Sequence, residues 1–405
     1  MQRLTQKFLI YLTLAAAPLY LIKLTFFSLP TNLFECLLLL NVAAWIWHER
    51  KEKFKSLWKP LPWQIILSLG LILGGTLCSI MTNDARIIGF GILKSWFVLP
   101  LIFTYILANT LENNTELEKG FLSIYFSIEL IAFISLLYKL YGVLTYDGRL
   151  SGFYISPNYL ALYLAPGSLL GFYFLLKSFE KKSSTFVKIL ASLSLMIILL
   201  TLFYTYSYAA WIAVFLSATL TALFYLQKKK FFLLSLGLTV LFSFAALSQL
   251  NSQKFSSLIH FSQRSSLSSR IMIWKATEKM LLQNPILGIG PGNFQVKYLS
   301  LQAYFPPYLE WAVPQPHNVF LAFWLQSGLI GLVGFLLLLS FIFYQLLKKN
   351  QLKKISPELL LFSFFLYIIL HGLVDTPFWK NDLSFLFWVY LGFFLVLSRN
   401  AQKIK

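Results

Sequence analysis

At 405 residues, with 58% hydrophobic and 18% aromatic side chains against 12% charged and a mean hydropathy of +0.70, the chain cannot fold as one water-soluble core without exposing large apolar patches. That excludes an ordinary soluble domain and points to an integral membrane protein. The net charge of +19 is spread in short runs, Arg50 to Lys59, Lys228 to Lys230 and Lys348 to Lys354, a pattern that marks topology and contact with anionic membrane lipids rather than nucleic acid.

Crossing a hydrocarbon core of about 30 Å takes roughly 20 apolar residues as a helix, because the backbone must satisfy its own hydrogen bonds there. Twelve segments fit, near 8–28, 31–47, 62–82, 87–108, 120–141, 158–176, 189–207, 209–226, 231–249, 317–347, 357–374 and 383–398. The first carries Lys23 and has no small-residue cleavage site, so it reads as a retained helix rather than a signal peptide. Cys36 and Cys78 lie within segments and read as apolar fillers. The expected fold class is an all-α polytopic membrane protein, a single integral domain over 1–405 whose one large polar loop is 250–316.

With the N-terminus in the cytoplasm, 22 of the 34 Lys and Arg fall on the cytoplasmic side and nine outside, six of these in the 250–316 loop. By the positive-inside rule both termini are then cytoplasmic and the long loop faces out.

On that outer side the acids Asp84, Asp147, Glu278, Glu310, Asp375 and Asp382 are scattered singly, without the spacing of a divalent-metal site. Metal-independent chemistry is expected, with no cofactor. The outer arginines are more telling. Arg86 follows the third segment, Arg149 precedes Ser151 to Asn158, and Arg270 opens a helical stretch in the long loop. A guanidinium makes bidentate, charge-assisted bonds to phosphate oxygens and stays charged at any relevant pH. Three of them at one face suit a diphosphate; the ordinary role of each alone is a headgroup anchor or surface salt bridge.

Within the loop, Ser268-Ser269 reads as an N-cap for an amphipathic helix from Arg270 to Gln283, with Ile271, Trp274, Met280 and Leu281 on or near one face and Asn284-Pro285 as its stop. Such a helix is expected to lie at the outer interface. Gly288-Ile289-Gly290-Pro291-Gly292-Asn293 follows with no preceding strand, so it reads as a turn re-entering the site, not a nucleotide loop. Tyr304 to Trp311 is proline-stiffened and aromatic, suited to a sugar-stacking wall, a lid or an interfacial belt.

His317 starts the tenth segment. A neutral imidazole there can take a proton from a sugar hydroxyl, although a lone histidine at a membrane boundary is more often structural. His371 and Asp375, four residues apart, share a helix face if the eleventh helix runs that far. Ionisable groups at membrane depth usually face a site or a partner.

Arg270-Ile271-Met272-Ile273-Trp274, then Asn284-Pro285 through Gly288-Ile289-Gly290-Pro291-Gly292-Asn293-Phe294, then Pro316-His317-Asn318 to Leu321 with Gly328 to Gly331, resembles the central region of the O-antigen ligase and polymerase superfamily. Arg149 to Phe153 with Pro157-Asn158, and His371 to Asp375, are similar to further family motifs, so the resemblance spans roughly 80–395. It implies a fold like that of GT-C-type membrane glycosyltransferases. It also implies inverting transfer of a glycan from an undecaprenyl diphosphate carrier to a lipid, glycan or protein acceptor, at the outer face of the cytoplasmic membrane, without metal or ATP. Carried over, His317 is the general base, Asp375 a supporting acid and Arg270 a diphosphate ligand, with Asn318 and His371 in matching motifs. Family members often carry Ser-Arg where this chain has Ser207-Tyr208. Tyr208 cannot supply that cation, which leaves Arg86 or Arg149 to replace it, the donor held differently, or an altered activity. An O-antigen-type polymerase shares donor and mechanism and differs in acceptor. A flippase of lipid-linked sugar would need polar residues along a mid-membrane path, whereas the polarity here concentrates at one face.

Overall fold

The structure is a computed structural model that describes residues 2–26, 29–51, 60–260, 265–306, 313–348 and 355–403. The lysine and arginine runs at 50–59 and 348–354, and the aromatic stretch beyond Pro306 as far as Ala312, lie almost wholly outside the described residues.

The first apolar segment is not one helix. α1 (Gln2–Ala15) gives way to a 3-10 turn (Ala17–Leu21) and then to an antiparallel hairpin, β1 (Lys23–Phe26) with β2 (Leu29–Asn32), before α2 (Leu33–Lys51). Pro18 within that turn removes a helical N–H and clashes with the preceding turn, which ends α1 short of a full crossing.

The remaining segments form helices close to where the hydropathy places them. They are α3 (Trp63–Met81), α4 (Arg86–Ile92) continuing through a π-turn (Leu93–Val98) into α5 (Leu99–Thr110), α6 (Asn114–Leu140), α7 (Pro157–Glu180), α8 (Thr185–Tyr204), α9 (Tyr208–Tyr225) and α10 (Lys228–Leu247). The long loop carries α11 (Gln253–Ile259), α12 (Ser266–Gln283) and α13 (Phe294–Leu301), and the chain ends in α14 (Val319–Lys348), α15 (Pro357–Gly372) and α16 (Asn381–Lys403). Among the described residues, nine helices are long and apolar enough to cross a membrane, and α2 and α15 are apolar but shorter. The protein is an all-α polytopic membrane protein.

α16 is buried almost all round, whereas α10 is exposed along nearly its whole length, as a lipid-facing rim helix would be. Lipid tails are as apolar as leucine, so helices associate through close packing and interhelical polar contacts rather than the hydrophobic effect. α3 and α14 show this: a Cβ on Gly75 would lie 2.5 Å from the Ser327 carbonyl oxygen, and the Thr76 and Ser327 hydroxyls lie 2.8 Å apart.

α14 is broken at Gly328, whose φ of 68° and ψ of 177° are not helical. The glycine loop fills the break. Leu329 N donates to Ile286 O at 2.8 Å, while Ile289 N and Gly290 N donate to Leu325 O at 2.6 and 3.2 Å. The loop thus satisfies backbone groups that the kink frees. Beside it, α12 and α13 bury Met272, Ile273, Ala276, Met280, Phe294 and Tyr298 against Ile289 and Leu325 in a small core of their own.

α12 begins earlier than its serines suggest. Ser265 is the N-cap, its hydroxyl accepting from Ser268 N at 3.1 Å, so Arg270 sits in the second turn. The buried face runs through Met272, Ile273 and Ala276, and Ile271 is exposed.

Candidate functional site

The site is built where α12, the residues before α14 and the turn after α15 meet. Trp274 Nε1 donates to Pro316 O at 3.0 Å, and Gln326 Nε2 donates to Gln315 Oε1 at 2.6 Å in a buried contact. Both bonds hold the peptide before His317. His317 has φ of 49°, a left-handed conformation that costs a residue with a Cβ about 1 to 3 kcal/mol and persists only where its surroundings enforce it. Asn318 then caps α14, its Oδ1 accepting from Phe320 N and Leu321 N at 3.0 Å each, while its Nδ2 donates to Leu373 O at 2.9 Å.

This geometry aims His317 at Asp375, with Nδ1 3.0 Å from Oδ1. Asp375 is buried; its Oδ1 also accepts from Thr376 N at 2.9 Å, and its Oδ2 lies 3.5 Å from Arg270 Nη2. Arg270 Nε donates to Val374 O at 2.7 Å, so the guanidinium is fixed by backbone as well as charge. Burial alone would raise the Asp375 carboxyl, but His317 and Arg270 beside it hold it well below the usual carboxylate range. With its Nδ1–H given to a carboxylate, His317 keeps the Nε2 lone pair to receive a proton.

Next to this pair opens a cavity of about 400 Å³, lined by Arg149, Lys254, Arg270, Tyr208 and Asn158 on its polar side and by Ile212, Leu216, Leu258, Leu370 and Leu373 among its apolar walls. Arg149 is held by Thr205 O at 2.7 Å from Nε and by Asn158 Oδ1 at 2.6 Å from Nη2, with Asp147 Oδ2 3.8 Å from Nη1. The Arg149 guanidinium is pushed down by burial and by Arg270, against the pull of Asp147. Burial and the like charges of Arg149 and Arg270 push the Lys254 ammonium down to about 7. Cations gathered against apolar walls suit a ligand with a multiply charged anionic head and a hydrocarbon tail.

The structure thus joins His317 to Asp375 by a hydrogen bond and Arg270 to Asp375 by an ion pair, ties Asn318 to the same turn after α15 through Leu373 O, and sets Arg149 and Tyr208 on the adjoining cavity. It does not bring in two others. Arg86 is exposed at the start of α4, its Nε donating to Asn83 O at 3.3 Å, and does not line the cavity. His371 is fully buried in α15; because the helix ends at Gly372, it bonds Tyr367 Oη at 2.8 Å through Nδ1 rather than the Asp375 side chain. Sequence reasoning passed over Lys254, Thr205, Asn158 as an arginine partner, and Gln326. Lys254 and Thr205 act through contacts distant in sequence, Asn158 and Gln326 through nearer ones, and only Asn158 sat in a quoted motif.

The fold and site define a polytopic helical membrane protein with a His–carboxylate–Arg group opening onto a cation-lined, apolar-walled cavity. Residues 193–336 match the family model described as O-antigen ligase, a stretch from α8 through the long loop into α14 that includes Tyr208, Arg270, His317 and Asn318. That match, which spans less than half of the chain, supports membership in the O-antigen ligase superfamily and a membrane enzyme of the ligase or polymerase type. Among curated proteins, none matches it.

Proposed function

We propose that the protein transfers a glycan from undecaprenyl diphosphate to an acceptor hydroxyl of a glycolipid, glycan or protein at the outer face of the cytoplasmic membrane, both termini being cytoplasmic. The observation that carries this is Asp375, shared between His317 and Arg270 at the edge of the cation-lined cavity. One carboxylate couples a base for the acceptor to a cation for the leaving group.

In this reading Arg149 and Arg270 hold the donor diphosphate, and the apolar walls take the first part of the polyprenyl chain. The acceptor oxygen attacks the anomeric carbon opposite the diphosphate, the bond between that carbon and the diphosphate oxygen breaks with inversion, and the acceptor proton passes to His317 Nε2. Asp375 stabilises the resulting imidazolium, and the charge that develops on the departing undecaprenyl diphosphate falls on the guanidiniums. The donor is already activated, so the step needs no nucleotide.

The test is His317→Ala in cells lacking the native gene. Loss of glycan transfer at normal protein level, with lipid-linked donor building up on the outer leaflet, is expected; full transfer by the variant sinks the base assignment. Donor building up on the inner leaflet instead would make the protein a transporter. Whether the missing product is a glycosylated acceptor or a longer glycan chain separates ligase from polymerase.

A further inference from the structure

The turn between α8 and α9 presents two successive carbonyls to cations. Thr205 O accepts from Arg149, and Tyr206 O accepts from Lys254 Nζ at 2.5 Å. Tyr206 holds that orientation with a left-handed φ of 47°. The Lys254 ammonium also lies 5.0 Å from the centroid of the Tyr208 ring, a cation–π distance. The Tyr208 hydroxyl reaches Gln249 Oε1 at 3.2 Å and lies 3.4 Å from the hydroxyl of Ser252, the residue that caps the helix carrying Lys254. Tyr208 thus both supports the ammonium and pins the turn that delivers it. Asp147 and Asp375 pair with Arg149, Arg270 and His317 rather than with Lys254. An ammonium held by carbonyl and ring, beside two guanidiniums, is unfavourable until an anion arrives.

We propose that Lys254 is a third cationic ligand of the donor diphosphate, and that Tyr208 is the residue that positions it. This rests on the donor reading above. It accounts for a tyrosine where a cation is expected: the charge arrives from α11 and the tyrosine holds it. With its ammonium pushed down to about 7, Lys254 is charged below that pH and neutral above it, and a bound diphosphate favours the charged form. Affinity is therefore full below about pH 7 and falls as pH rises, by up to about tenfold per unit until the bound lysine itself titrates. Among the described residues, Arg149, Asp147, Arg270 and the Tyr208 ring are the charged or titratable groups that act on it. His317, across Asp375, is removed from the comparison by working in a His317→Gln background, which also prevents turnover.

The probe is undecaprenyl-diphosphate-linked N-acetylglucosamine, whose doubly esterified diphosphate keeps its charge across the range, titrated into the purified full-length protein in nanodiscs. We expect binding roughly tenfold weaker at about pH 8.5 than at about pH 6.5, and Lys254→Arg should bind tightly at both. Lys254→Met should bind roughly tenfold more weakly at the lower pH and show no slope. Lys254→Met binding within about twofold of its parent at both pH values overturns the proposal. Should that variant fail to fold, the Lys254→Arg profile decides, because a pH slope that survives the arginine overturns it equally. If Arg149→Met and Arg270→Met also bind like the parent, the donor reading itself fails; if they weaken and Lys254→Met does not, only this inference does.

Discussion

Asp375 Oδ1 lies 3.0 Å from His317 Nδ1 although 58 residues of chain separate them. The carboxylate selects which imidazole nitrogen carries the proton, and its other oxygen faces Arg270. In the proposed reaction, base and leaving-group cation are therefore positioned by one side chain.

Asp375→Asn keeps the shape and removes the charge. The amide no longer stabilises an imidazolium, and kcat for transfer is expected to fall roughly 10⁴-fold, as when the carboxylate behind a catalytic histidine is replaced elsewhere. Arg270, left facing a neutral group, should cost about 1 to 3 kcal/mol of stability. The pH sign follows from the lowered carboxyl: the contribution is present above the unfolded value of about 4 and is lost as pH falls through the lower folded one. In a His317→Gln background, where no imidazole titrates beside the carboxylate, the melting-temperature gap on adding Asp375→Asn should stay constant from about pH 5 to 8 and close only in stronger acid. A gap that closes near neutrality would contradict the ion pair.

Arg270→Lys tests whether a point charge suffices. Lysine cannot donate to Val374 O and reach Asp375 Oδ2 at once, as the Arg270 fork does. The donor KM should rise roughly tenfold or more, with Arg270→Ala worse than Arg270→Lys. Steady-state kinetics with a lipid-linked donor decide; an unchanged KM in the alanine variant removes Arg270 from the binding site.

Trp274→Phe removes one N–H and little else. Pro316 O loses its 3.0 Å donor, and the left-handed His317 next to it loses one of the restraints that hold it. Misplacement of a base by a fraction of an ångström is felt in the chemical step, so kcat should fall roughly tenfold while donor KM stays near wild type. Equal changes in both would mean that the indole serves donor binding instead.

Much of this was legible in the sequence, for physical reasons that also explain the failures. Long apolar runs must be helices in a bilayer, so α3 to α10, α14 and α16 were found near their true limits. The first run failed because hydropathy registers apolar length and not the Pro18 turn or the hairpin that breaks it. In the serine run ahead of Arg270, several residues could cap, and only the Ser265 hydroxyl does. His317 and Asp375 stood out because polar groups at membrane-helix ends are costly and few, and Arg270 because it opens the stretch of the long loop that reads as an amphipathic helix. Lys254 did not, because its partner Tyr206 is 48 residues away and nothing local distinguishes one lysine in a polar loop from another.

The glycine loop offers a test of the fold rather than the chemistry. Gly288 has φ of 67°, and a Cβ there would lie 2.2 Å from the Leu325 carbonyl oxygen, in backbone that cannot swing aside. Gly288→Ala adds a left-handed strain of about 1 to 3 kcal/mol and pushes the loop out of the α14 break, freeing the groups that Ile289 and Leu325 pair at 2.6 Å. Unpaired backbone groups at that depth are expensive, so melting temperature and yield of folded protein should drop sharply. Gly70 in α3 is the control: it is exposed on the helix, no atom lies within 4 Å of its would-be Cβ, and Gly70→Ala should be neutral or slightly stabilising. If Gly288→Ala melts like Gly70→Ala, the loop does not occupy the break, and the placement of His317 through α12 and α14 falls with it.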